Sequence, residues 1–138
     1  MKESIAVNWK GDLCFETELD GHSIVMDARP DAGGKNRGPR PKALMMVSLA
    51  GCTGMDVASL LKKMRIQVES FTVKVEGELT ETHPKHFISM HIVYEFKGKD
   101  LPMDKLKRAV ELSQETYCGV SANYKKAMDL SYEINVTG

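Results

Sequence analysis

Apolar and polar positions alternate along the first third of the chain. Ile5, Val7 and Trp9 alternate with polar neighbours, Lys10-Gly11-Asp12 supplies a turn, and Leu13, Phe15, Thr17 and Leu19 resume the two-residue period. Asp20-Gly21 is a strong hairpin signal because both residues accept positive φ, so Ser23 to Asp27 is predicted to return as a third strand. From Asp31 to Arg40 the pattern breaks. Gly33-Gly34, Gly38-Pro39 and the cations Lys35, Arg37 and Arg40 read as a mobile basic loop, either a solvated connection or part of a site. Pro41, whose missing N–H costs nothing in a first helical turn, opens a helix to about Arg65. Its apolar residues run all round up to Cys52 and narrow to Val57, Leu60, Leu61 and Met64 after Asp56. That pattern predicts a helix buried on most sides at its start and emerging near Lys62-Lys63.

The longest period-two signal follows. Phe71, Val73, Val75, Gly77 and Leu79 alternate, as do Ile88, Met90, Ile92, Tyr94 and Phe96, around His83-Pro84-Lys85. Leu101-Pro102 then opens an amphipathic helix with Met103, Leu106, Val110, Ser113 and Tyr117 on one face. Cys118-Gly119 interrupts it, and Ser121 is placed to cap a short third helix reaching about Met128. Leu130, Tyr132, Ile134 and Val136 form a last strand. The order β-β-β-α-β-β-α-α-β predicts a single α+β domain over residues 1–138, built mainly on antiparallel pairing.

Length and charge narrow the function. At 138 residues the chain suffices for one core, and 42% apolar residues make it globular. Nineteen basic and nineteen acidic residues cancel, leaving no basic field of the kind nucleic acid requires. The N-terminus has no sustained apolar stretch of the secretory kind, and the nearly apolar run Ala43 to Cys52 is about half of what a membrane helix needs. A cytoplasmic protein without nucleic-acid or membrane partners is expected. Three cysteines, an odd number, do not make a secreted disulfide framework; in a reducing compartment a paired disulfide would be transient and catalytic.

The candidate chemistry lies in the thiols. Cys52 sits in Leu49-Ala50-Gly51-Cys52-Thr53-Gly54-Met55-Asp56, where small neighbours allow another backbone to approach. Cys118 sits in Tyr117-Cys118-Gly119-Val120-Ser121, just before a helix start, where a positive dipole end favours thiolate. Taken singly, each also fits a small buried core residue. Cys14, in a predicted strand, reads as structural. None of His22, His83, His86 and His91 has ligand spacing with a cysteine, which argues against a structural zinc site. No Gly-rich phosphate loop and no serine nucleophile elbow is present.

The segment from Pro41-Lys42-Ala43-Leu44 to Asp56-Val57, followed by Tyr117-Cys118-Gly119-Val120-Ser121, resembles the OsmC/Ohr family, and the order of elements matches along essentially the whole chain. The resemblance implies an OsmC-like fold, with antiparallel sheets around a long central cysteine-bearing helix in an intertwined homodimer. It implies a thiol-dependent peroxidase that reduces organic hydroperoxides, with Cys52 peroxidatic and Cys118 resolving, no metal or other cofactor, and an external dithiol reductant such as a lipoylated protein. Where the hydroperoxide branch carries Pro-Glu-x-Leu, this chain has Pro41-Lys42-Ala43-Leu44, so a cation replaces the glutamate that pairs with the branch's arginine. Lys42, or a cation from Arg29 to Arg40 such as Arg37 or Arg40, is then expected to supply positive charge beside Cys52. The alternative is a non-catalytic relative that binds small apolar or thiol-containing molecules, or senses redox state, on the same dimer.

Overall fold

Asp20 and Gly21 do take positive φ, 52° and 80°, and close the hairpin between β2 (Phe15–Leu19) and β3 (His22–Met26). A two-residue β1 (Asn8–Trp9) pairs antiparallel with β2, shorter than the alternation from Ile5 predicted. Cys14 lies in the turn before β2 rather than in a strand, and is 4% exposed. The computed structural model describes residues 1–138 as two compact units, Met1–Met45 and Met46–Gly138.

In the first unit the basic segment is ordered around one buried carboxylate, which the sequence pattern did not anticipate. Asp27 Oδ1 accepts the Ala28 N–H at 2.7 Å, while Oδ2 accepts the Arg37 Nε–H at 2.8 Å and the backbone N–H groups of Arg37 (3.1 Å) and Lys35 (3.3 Å). The Arg37 guanidinium is the largest influence holding the Asp27 carboxyl down to about 2. Gly34 and Gly38 press against the backbone carbonyls of Ala28 and Val25, leaving no room for a Cβ.

The helix α1 (Pro41–Lys63) starts at Pro41 as predicted and passes from the first unit into the second. It ends where Arg65 turns left-handed (φ 59°) and the Ile66 N–H bonds back to the Leu61 carbonyl. Leu49, Thr53, Val57 and Leu61, four residues apart, form its buried stripe. A Cβ on Gly54 would touch Val73, and one on Gly77 would meet Phe87 and Met46, so α1 lies close against the hairpin of β4 (Ser70–Leu79) and β5 (Phe87–Lys97). Burial on most sides does not occur within the chain: only 22% of the most apolar 18-residue window is buried, and Val47 and Met55 are 62% and 76% exposed. By length and composition alone this helix could also cross a membrane.

The second sheet has order β4-β5-β6, with β6 spanning Asp129–Thr137. β4 and β5 pair antiparallel as expected, but β6 runs parallel to β5, because α2 (Met103–Leu112) and α3 (Gly119–Lys125) carry the chain back before it begins. As the middle strand, β5 buries Met90, Ile92, Val93, Tyr94 and Phe96, on both faces. The helix predicted through Tyr117 instead loosens into a π-turn over Ser113–Tyr117, where the Cys118 N–H reaches the Ser113 carbonyl at 2.7 Å. The residue capping α3 is Cys118, whose Sγ accepts the Ser121 N–H at 3.4 Å; Ser121, the predicted cap, is fully buried inside the helix.

Candidate active site

Cys52 and Asp56 lie one turn apart on α1, so both side chains project from one face. The π-turn brings Cys118 to that face. The sulfurs of Cys52 and Cys118 and a carboxylate oxygen of Asp56 all lie within 4.8 Å of one another. The two sulfurs therefore need at most about 2.7 Å of approach to reach the bond length of a disulfide, roughly 2.05 Å. Cys52 and Asp56 are half-buried, and Cys118 is 3% exposed.

Burial pushes the Cys118 thiol up, against the pull of the Ser121 hydroxyl and N–H, and the neighbouring Cys52 raises it further. The dipole argument from sequence favoured thiolate here. The structure reverses it, because α3 is only seven residues long and the sulfur has lost its water.

A chain of buried hydroxyls converges on Asp56. Ser113 Oγ donates to Asp56 Oδ2 at 2.9 Å. A hydroxyl has one proton, so in its 2.7 Å contact with Thr53 Oγ1 the Ser113 oxygen must accept. The Thr53 proton is thereby committed, and the 2.6 Å contact between Thr53 Oγ1 and the Tyr94 hydroxyl must have Tyr94 donating. Gln114 Nε2 starts the chain, donating to the Tyr94 oxygen at 2.8 Å and to Thr53 Oγ1 at 3.3 Å. Every hydrogen thus points from Gln114 through Tyr94, Thr53 and Ser113 toward the Asp56 carboxyl oxygen. Burial also pushes the Tyr94 phenol up, which keeps its proton in place. Asp56 reaches solvent at the far end, in an open cavity of about 190 Å³ shared with Met55, Ser59, Leu60, Lys63 and Tyr117.

Of the residues singled out from sequence, Cys52 and Cys118 are brought together. Lys42 stands in the first turn of α1. In the first unit, Arg37 is paired with Asp27 at 2.8 Å and with Asp12 at 3.2 Å, whereas Arg40 donates to the neutral oxygens of Asn36 (2.7 Å) and Gly38 (3.3 Å). Sequence reasoning missed Asp56, Thr53, Tyr94 and Gln114, and took Ser113 for a packing residue. The one available signal was the Cys52-x-x-x-Asp56 spacing on a helix. The histidines stay apart: His91, for example, contacts Ser131 at 2.7 Å and Glu133 at 2.9 Å.

Residues 33–133 match the family described as OsmC-like protein. Protein YhfA of Escherichia coli K12 is 34% identical over 131 residues, covering 94% of this chain and 95% of that one. The chain belongs to the OsmC family. Among solved structures, a hypothetical protein from Aquifex aeolicus VF5 is 28% identical at a TM-score of 0.83, over 100% of this chain and 99% of its own. An OsmC-like protein of unknown function from Vibrio cholerae gives 21% and 0.78, over 97% and 99% of the two chains. The organic hydroperoxide resistance protein OhrB of Bacillus subtilis shares the fold at 18% identity and a TM-score of 0.66, over 96% and 98%.

Proposed function

We propose that this protein is a cytoplasmic, homodimeric thiol peroxidase that reduces organic hydroperoxides through Cys52 and Cys118. The observation that carries this reading is the meeting of two sulfurs, 66 positions apart in sequence, within 4.8 Å. A Cys52 thiolate attacks the peroxide O–O bond, releasing an alcohol and leaving a sulfenic acid. Cys118, kept as a thiol by burial, then condenses with it; the S–O bond breaks, an S–S bond forms, and the hydroxyl leaves as water with the thiol proton. An external dithiol restores both thiols by exchange. In the cavity beside Asp56, Met55, Leu60 and Tyr117 offer an apolar wall to the organic part of the substrate, and Lys63 a cation in the same lining.

Lys42 or Arg40 is proposed to favour the Cys52 thiolate: Arg40 donates to the neutral oxygens of Asn36 and Gly38, whereas Arg37 is neutralised by Asp27. Dimerisation is supported by α1, whose apolar surface is too extensive to remain in water. Sedimentation at twice the 15.4 kDa chain mass checks this.

The functional test is consumption of cumene hydroperoxide with a small dithiol as reductant. Cys52→Ser is expected to abolish it, and Cys118→Ser to permit one oxidation per chain followed by over-oxidation of Cys52. Equal rates for wild type and Cys52→Ser would remove the peroxidase reading. Disulfide formation without repeated turnover would instead select a redox-sensing role, which the burial of Cys118 favours by keeping external reductant out.

A further inference from the structure

The hydroxyl chain ends on the carboxyl group of Asp56, which lies within 4.8 Å of both sulfurs. Two thiols and a carboxylate on one face are a donor set for a thiophilic divalent ion. We propose that, with both thiols reduced, Cys52, Cys118 and Asp56 bind one zinc-class cation per chain. Binding of this kind stands apart from peroxide turnover and does not require it.

The geometry supports three protein ligands. Zinc–sulfur distances of about 2.3 Å and zinc–oxygen distances of about 2.0–2.2 Å put tetrahedral donors roughly 3.5–3.8 Å apart. The present spacing therefore closes by about 1.0–1.3 Å at most, within the reach of side-chain torsions. Two of the three donors are also held from behind, as metal ligands generally are. Ser113 fixes Asp56 through a hydrogen bond to Oδ2. The Ser121 N–H fixes the Cys118 sulfur. The open cavity at Asp56 connects that donor to solvent, and the fourth position is left to water.

Uptake breaks two S–H bonds, forms two metal–sulfur bonds and releases two protons to solvent. Two-electron oxidation of the pair by a hydroperoxide, consuming two protons and yielding an alcohol and water, removes both sulfur donors and ejects the ion. The reduced protein would thus hold a metal that oxidant releases.

The experiment titrates reduced full-length protein with cobalt(II) alone, then displaces it with zinc(II), in the absence of peroxide. The expected result is one ion per chain, thiolate-to-cobalt charge-transfer absorption, and release of two protons. The absorption should disappear in Cys52→Ser and in Cys118→Ser and persist in Cys14→Ser. Ser113→Ala should weaken zinc binding about 10–100-fold, as loss of an orienting partner does. Wild type oxidised with diamide should bind no ion, a comparison that needs no variant to fold. Absence of the charge-transfer band in reduced wild type, its retention in both single cysteine variants, or undiminished binding after oxidation would each overturn the assignment. Loss of peroxide turnover alone bears on the peroxidase reading and leaves the metal titration intact.

Discussion

Thr53→Val replaces the hydroxyl at the centre of the relay with a methyl group of nearly the same shape, at a residue that is fully buried. Its consequences follow from the direction of the chain. Tyr94 loses the acceptor of its proton, and a buried donor left unpaired costs about 1–3 kcal/mol. Ser113 loses an incoming hydrogen bond worth about 0.5–1.5 kcal/mol but still donates to Asp56. The added buried methyl returns about 0.8 kcal/mol. Destabilisation of about 2 kcal/mol is expected, read by urea unfolding at one fixed protein concentration, since the stability of the proposed dimer would depend on concentration. Tyr94→Phe removes the donor instead, so the double variant no longer carries an orphaned phenol. It should therefore be more stable than the two single losses predict together, by about 1 kcal/mol or more. Costs that add to within about 0.5 kcal/mol, or a Thr53→Val variant as stable as wild type, would refute the directed relay.

The Asp27 carboxyl is held at about 2 in the folded chain against 3.8 for the ordinary group. Its contribution to holding the basic segment is therefore complete above about pH 4 and lost as pH falls toward 2. Trypsin cleavage at Lys35 or Arg37 should be slow in wild type at neutral pH and faster in Asp27→Asn; equal rates would show that Asp27 does not organise this segment. In a chain carrying Cys14→Ser and Cys52→Ser, alkylation of Cys118 should stay slow at neutral pH and rise only above the ordinary thiol value of 9.0, because burial disfavours its thiolate. A midpoint below pH 8 would mean that a cation outweighs burial at this sulfur.

Local pattern sufficed wherever the deciding physics was local. The Asp20-Gly21 turn, the helix opening at Pro41, and the β4–β5 hairpin were all legible, because turn chemistry, a missing N–H and a two-residue period act within a few residues. Pattern also picked out Cys52 and Cys118, but not what surrounds them. The parallel placement of β6 depends on where two helices return the chain, which periodicity does not encode. The capping of α3 by Cys118 depends on a π-turn that a continuous helical pattern concealed. The basic segment looked mobile because its organiser, Asp27, is a carboxylate at a strand end whose value comes from backbone N–H groups several residues away.

The charge beside the thiols was decided by tertiary structure alone. In the sequence Asp56 is one of nineteen acidic residues, and Thr53, Tyr94, Ser113 and Gln114 belong to three different elements. Only folding brings their hydroxyls within 2.9 Å of one another or of the carboxylate, and only then does the single proton on each oxygen impose a direction. Residue order sets which groups are available and which helix or strand carries them. The sign of the field at a sulfur depends on distances across elements, and those exist only once the chain has packed.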